Sequence, residues 1–501
     1  MSDPTPRLAV DPASDDQAVA EQPVSTDERR RNLTVIWMLI VAAFTVILNE
    51  TIMGVAIPHL MTDLGISASD AQWLTTAFLL TMAVVIPTTG FLLQKYPTRG
   101  LYLLAMGLFT AGTLLGALAP GFEVLLVARV VQASGTAIMF PLLMTTVMEL
   151  EPPQTRGRRM GSIGVVISVA PAIGPTVSGL VLSVASWRFL FVAVLPVALA
   201  VLIVGIVKMR TVNEPSHARI DLISVPLSAV AFGGVVFGLS RLGESVGEDL
   251  TLAYASFGVG IVFMALFVWR QLRLQREDRA LLDLRTFRTP IFSMAVVMFV
   301  VAMMSLFGAI ILLPLFTQEV LGMSVLQAGL MLLPGGLISG LLAPPVGRLY
   351  DRIGPRPLLI PGAVLIATAM LGMALSSRVD APWWQILVSH MLMSTGLALT
   401  FTPLFSTSLG SLPEHLYSHG SATVSTLQQV AAAAGTALFV SVMTALTVAG
   451  TADGLPAAEA QATGIRTAFL IAAGIAVVGI VLAPFIRKPE DTAGGARPAA
   501  L

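Results

Sequence analysis

Fourteen apolar runs, each long enough to cross a bilayer, occupy this chain between residues 33 and 486 and leave short polar turns between them. A hydrocarbon core about 30 Å thick takes roughly 20 apolar residues per helical crossing. The runs are 33–58, 72–93, 101–119, 123–148, 161–184, 188–208, 221–240, 251–269, 291–316, 326–346, 357–376, 383–410, 421–449 and 466–486. With 55% hydrophobic and 12% charged residues among 501, the composition favours a polytopic membrane protein over a string of soluble domains. An all-α membrane fold is expected.

An even number of crossings puts both ends of the chain on one side. If that side is the cytoplasm, it collects Arg29–Arg31, Lys95, Arg99, Arg156, Arg158, Arg159, Lys208, Arg210, Arg219, the arginines of 270–288, Arg348, Arg352, Arg356, Arg487 and Lys488. The other side receives Arg188, Arg241, Arg378 and Arg466. So steep a bias fits the positive-inside rule and supports the helix count, although loop 411–420 carries no Lys or Arg. The acidic first 28 residues hold no apolar run and read as a disordered tail instead of a cleaved leader. The absence of cysteine excludes disulfides, thiolate metal sites and Fe–S clusters.

Two stretches repeat one another: 90-GFLLQKYPTRG-100 after the second run and 347-GRLYDRIGPRP-357 after the tenth. Each closes a helix on a glycine, makes a basic turn and opens the next helix. Repetition about an axis along the membrane normal is a transporter signature. The expected organisation is a tail 1–32, a six-helix bundle 33–208, a linker 209–290 with two extra transmembrane helices and a basic cytoplasmic segment, a second six-helix bundle 291–487, and a tail 488–501.

On these residues the chain resembles a known family. Gly347, Leu349, Asp351, Arg352, Gly354 and Arg356 match the loop motif of the major facilitator superfamily, and the likeness runs from about 33 to 487. More narrowly, the chain resembles the fourteen-helix drug:proton antiporters, the EmrB/QacA-like group, and its lincomycin-resistance branch. Gly161, Gly174, Pro175 and Gly179 fit that family's antiporter motif in the fifth helix, with Ala170 and Ser178 replacing two glycines. Leu125, Arg129, Gln132 and Gly135 fit its arginine motif, with Ala133 where glycine is usual. In the first helix the family reads Leu-Asp-x-Thr before Val-Ala-Leu-Pro. Here stand Leu48, Asn49, Glu50 and Thr51, then Val55, Ala56, Ile57 and Pro58, so the acid is displaced by one position. Gln94 likewise replaces the acid in the first copy of the loop motif.

A carboxylate at the centre of a membrane helix costs about 2.5–3.5 kcal/mol on insertion scales and marks a functional site. The proton-coupling set is therefore Glu50, Arg129 and Asn49, with Arg129 as the tuning charge. A cavity near the midplane is expected to draw on Thr51, Met53, Gln132, Phe140, Met144, Phe307, His390, Phe401, Phe405, Gln428 and Gln429, since Met and aromatic side chains adapt to varied ligands. The resemblance implies export of hydrophobic drugs or toxic natural products in exchange for protons, by alternating access, across a bacterial plasma membrane. Export of an endogenous metabolite or lipid is the alternative within transport, and a non-transporting membrane sensor the alternative outside it.

Other functions have little support. The three lysines, in QKY, VKM and RKP, cannot end a phosphate-binding loop, and no HExxH, GxSxG or paired-carboxylate arrangement lies within the runs. No enzyme activity and no cofactor beyond the coupling proton are expected. His415 and His419 with Glu414 have near-metal spacing but fall in what reads as a flexible loop, so no metal site is expected. The basic stretch 270–288 reads as an interfacial helix touching anionic lipid rather than as a nucleic-acid surface. The expected partners are a small hydrophobic substrate, neutral or monovalent, along with protons and lipid, and the working unit is a monomer.

Overall fold

The computed structural model describes residues 26–213, 221–244 and 250–488, and every regular element among them is helical. Six long helices come first: α1 Thr26–Leu64, α2 Ala68–Lys95, α3 Thr98–Ala117, α4 Phe122–Leu150, α5 Arg156–Leu182 and α6 Arg188–Lys208. A pair follows, α7 Ser224–Glu244 and α8 Thr251–Leu274. Six more complete the chain: α9 Pro290–Leu315, α10 Val325–Ile353, α11 Arg356–Ser376, α12 Trp383–Gly410, α13 Tyr417–Ala452 and α14 Ala457–Leu482. All fourteen are long and apolar enough to span a membrane. The face carrying the start of α1 and the end of α14 is called here the terminal face, and the other the opposite face.

The two series are built alike at the start of their second helices. Gly65 and Gly322 both take left-handed backbone, at φ 62° and 65°, in the tripeptides 65-GIS-67 and 322-GMS-324. Each serine then caps its helix: Ser67 trades hydrogen bonds with Asp70, and Ser324 with Gln327. A reciprocal box of this kind satisfies two of the backbone donors that a helix start leaves open. It fixes where α2 and α10 leave the opposite face.

Within the first six helices, α1 packs on α4, α5 and α6, and α3 on α4 and α6; within the last six, α13 and α14 pack together, α11 lies on α12 and α14, and α9 on α13. The two groups meet where α5 lies against α10 and α2 against α13. The α7–α8 hairpin sits over the second of these seams, with α7 touching both α2 and α13.

The α5–α10 seam is closed at one end only. At the terminal face glycine lets the backbones touch: a β-carbon on Gly157 would lie 2.6 Å from Gly347 O, and one on Gly161 2.6 Å from Ala343 O. Further along, Gly340 meets the Val169 side chain. Continuing this antiparallel register brings Gly179 level with Gly329, and there a β-carbon on either would meet nothing within 4 Å. Small residues permit the close approach; beyond Val169 the helices part. The space between the two groups therefore opens toward the opposite face.

Three sequence expectations change. The helix of the first run starts at Thr26, so residues 26–32 of the expected tail are helical; hydropathy measures the membrane-crossing length, and charged residues extend a helix past it. Loop 411–420 is largely structured: Glu414–Leu416 form a 3-10 turn, and α13 begins at Tyr417 with His419 only 4% exposed. The stretch 270–288 is no continuous interfacial helix. It ends α8, makes a 3-10 turn at Gln275–Glu277, reverses at Asp278 with φ 51°, and makes a second turn at Leu284–Arg288. Arg219 lies outside the described residues.

Candidate functional site

The buried end of the cleft is organised around Arg129, about 10 Å along α4 from its opposite-face end. Its side chain is 1% exposed. The guanidinium donates to Gln132 Oε1 at 3.0 Å, to Asn49 Oδ1 at 3.4 Å and to Leu74 O at 3.4 Å, and lies 4.0 Å over the Phe78 ring. Gln132 in turn donates to the Thr113 hydroxyl at 2.9 Å. A planar fork with several donors can hold α1, α2 and α4 together in this way, whereas a lysine has one charged point to offer. Gly112 makes room for Gln132, since a β-carbon there would lie 2.6 Å from its backbone nitrogen.

Glu50 stands beside this cluster without joining it. Its side chain is half-buried, and among the described residues it makes no hydrogen bond or ion pair within 4.0 Å, although its charge and that of Arg129 act on one another. Its neighbour Thr51 donates to Leu48 O at 2.9 Å and lies 3.5 Å from Ala170 O on α5, where Gly174 leaves space for the threonine. By the α5–α10 register Gly174 falls about 7.5 Å beyond Val169, the last close contact of the seam. Glu50 and Thr51 thus flank the floor of the open space.

Of the expected cavity residues, several are placed in the closed part instead. Phe140 of α4 and Phe405 of α12 meet edge to face across the two groups with centroids 5.7 Å apart, and Phe299, which the sequence does not single out, stacks on Phe401 and touches Phe405. Met144 is fully buried beside Thr145, whose hydroxyl is 2.7 Å from Ser421. Together these residues plug the space toward the terminal face. Met53 is buried in the first group of helices, and Gln132 is committed to Arg129 and Thr113. Phe307 and Gln428 are half-buried, while Gln429 reaches the Met82 sulfur across the α2–α13 seam at 3.9 Å. His390 places Nε2 3.2 Å from Leu332 O.

At the terminal face Asp351 accepts from the backbone N–H groups of Gly157 and Arg158, both at 2.8 Å, and so caps the start of α5. A helix N-terminus carries partial positive charge that favours a carboxylate. In the first repeat Gln94 takes the matching position and donates to His415 O at 3.0 Å, just before α13. Arg352 is exposed, Arg356 half-buried, and Gly354 closes α10 at φ 78°. The side chain of Pro175 lies outside the described residues; the helix continues through it.

A family model for the major facilitator superfamily matches residues 39–436. The chain belongs to that superfamily. An MFS-type transporter of Bacillus subtilis, YcnB, is 40% identical over 461 residues, covering 92% of this chain and 96% of its own. Proteins named lincomycin resistance protein LmrB are similar too: 38% in Listeria monocytogenes, over 94% of this chain and all of theirs, and 37% in Bacillus subtilis, over 94% and 99%. Among solved structures, the proton:xylose symporter XylE superposes with TM-score 0.60 at 17% identity, over 91% of this chain and 96% of that one. The human organic anion transporter MFSD10 superposes with TM-score 0.61 at 16% identity, over 89% and 99%. This facilitator is a multi-pass membrane transporter and not an enzyme. Its sequence resemblance to the drug-efflux branch accords with these relatives.

The sequence names Arg129, Gln132 and Asn49 but not Phe78, Thr113 or Phe299. Aromatic and hydroxyl residues are frequent in membrane helices, and only the packing distinguishes those that touch a buried guanidinium.

Proposed function

We propose that this facilitator is a proton-coupled antiporter of a bacterial plasma membrane, with both termini cytoplasmic, exporting small hydrophobic drugs or toxic natural products by alternating access. One observation carries the reading: Glu50 is an ionisable side chain at the floor of the open space, next to a buried arginine to which it is not bound. The resistance named in the LmrB relatives supports drugs as the substrate class. The two six-helix groups act as rocking bodies and α7–α8 as an insertion between them. With the terminal face cytoplasmic, the conformation described faces outward, the state in which substrate leaves and Glu50 takes a proton from outside. Rocking then exposes Glu50 to the cytoplasm, where it releases the proton while substrate binds.

The driving force suffices. One elementary charge crossing 100 mV yields about 2.3 kcal/mol, and at about 1.4 kcal/mol per tenfold that sustains roughly a fortyfold gradient of a neutral compound. No redox group or metal is needed for this cycle.

The test is drug-induced proton release from proteoliposomes over a drug panel, with wild type beside Glu50→Gln. The wild type is expected to couple, and the variant to lose coupling while remaining folded and monodisperse. Coupling retained by Glu50→Gln would remove Glu50 from the mechanism.

A further inference from the structure

His390 lies on α12 about 10 Å from the opposite-face end, the depth of Arg129 on the other side of the cleft. Its place along the seam is set by Gly335 of α10: a β-carbon on that glycine would collide with the imidazole and would come within 2.6 Å of the Ser394 hydroxyl. In the α5–α10 register Gly335 is level with Gly174, which leans on Thr51. His390 and Ser394 therefore occupy a notch in the second group of helices, level with Glu50 and Thr51 in the first, one and a half turns past the last close contact of the seam.

The chemistry of the notch is asymmetric. Leu332 O can only accept, so Nε2, 3.2 Å away, carries the ring's hydrogen. Nδ1 is then a bare acceptor. It is buried and has no hydrogen-bond partner, although the residue as a whole is half-buried. A second proton on Nδ1 would find no acceptor, whereas a donor brought to it would satisfy a buried lone pair whose isolation costs free energy. No charged side chain competes for the ring: those of α10 and α11 are Arg348, Asp351, Arg352 and Arg356, and those of α5 are Arg156, Arg158 and Arg159, all toward the terminal face.

We infer that His390, through Nδ1 and with Ser394 beside it, is a specificity-determining residue that accepts a hydrogen bond from a hydroxyl or N–H of the substrate. The inference rests on passage of a small apolar substrate between the two groups of helices. It adds that preferred substrates carry a donor on an otherwise apolar body, and that the notch is filled in the loaded state and left unsatisfied in the released state. Sites built to bond a polar group discriminate strongly against analogues that lack it.

Tetraphenylphosphonium and (4-hydroxyphenyl)triphenylphosphonium are the probes, hydrophobic monovalent cations of nearly one shape that differ by a hydroxyl. Equilibrium binding of each to the purified full-length protein is compared without a pH gradient, so the ratio is independent of proton coupling. Wild type is expected to hold the hydroxylated compound about tenfold tighter. In His390→Leu the ratio is expected to fall to about one. In His390→Gln, which keeps an acceptor, part of it returns, and that partial return also guards against misfolding of the leucine variant. A wild-type ratio near one, or an unchanged ratio in a monodisperse His390→Leu, overturns the inference but leaves the transport reading intact. Binding of neither compound overturns both the inference and the proposal of hydrophobic monovalent substrates.

Discussion

A shift of one residue separates two roles in the first helix. Asn49 is 1% exposed and turned to Arg129, while Glu50 is half-buried and unbound. An aspartate at 49 would be ion-paired to a guanidinium in a buried site, and a buried pair is held firmly because separating it leaves an uncompensated charge. Asn49→Asp in the Glu50→Gln background is therefore expected not to restore coupling, with drug-induced proton release within about twofold of that of Glu50→Gln alone. Wild-type release from the double variant would show that any acid next to Arg129 suffices. The sequence reveals the acid, the arginine and their helices, because charges in apolar runs stand out. Which of Asn49 and Glu50 meets Arg129 is a matter of about 100° of helix rotation, and the apolar neighbours on every side leave no periodicity from which to read it.

At the scale of elements, the fourteen crossings are legible because length and hydropathy alone determine them, whereas the start of α13 is not. Its first turns bury Ser418, His419, Ser421, Thr423, Ser425 and Thr426 against other helices, and a polar run that packs between helices looks like a loop to any hydropathy measure. The α8–α9 connection misleads for the opposite reason: its arginines suggest a lipid surface, yet they brace the chain internally. Arg285 pairs with both Asp278 and Asp283, and these carboxylates hold its guanidinium pKa above the usual arginine value. Arg270 binds Asp221 through two hydrogen bonds of 2.7 Å, tying the start of α7 to the end of α8. Those bonds, with help from Ser224, hold the Asp221 carboxyl down at about 2, against 3.8 for a free side chain. Folding thus depresses this pKa, so the brace contributes its full stability above about pH 4 and loses it as pH falls toward 2. Asp221→Asn is expected to cost roughly 1 kcal/mol at pH 7, the scale of a partly exposed pair with good geometry. In thermal unfolding in detergent, the gap between wild type and variant should narrow below about pH 4. A gap that stays constant down to pH 2.5 would show that Asp221 is not the group supplying it.

Over the whole molecule, the glycine contacts that close the α5–α10 seam at the terminal face and its separation at Gly179 and Gly329 are two ends of one lever. If the two groups of helices rock as bodies, one end can widen only as the other narrows. Because the chain has no cysteine, introduced ones are unique attachment points for spin labels. Leu180 and Leu330 are exposed on the open side, at nearly matched levels of α5 and α10, and Arg158 and Arg348 are exposed at the closed end. Each pair, changed to cysteine and labelled, reports one end. A bulky residue at Gly347, where a β-carbon would collide with Gly157 O, should force the closed end apart. Gly347→Leu is thus expected to lengthen the 158–348 distance by several ångströms and to shorten the 180–330 distance in the same sample. Lengthening at the closed end with no change at the open end would mean that the seam yields locally and that the two groups do not move as levers. Reciprocal change would tie the glycines of the repeated loop and of the fifth helix to the same motion, and would make the Asp351 cap on α5, at 2.8 Å from two backbone donors, a latch that must release before the protein can face the other way.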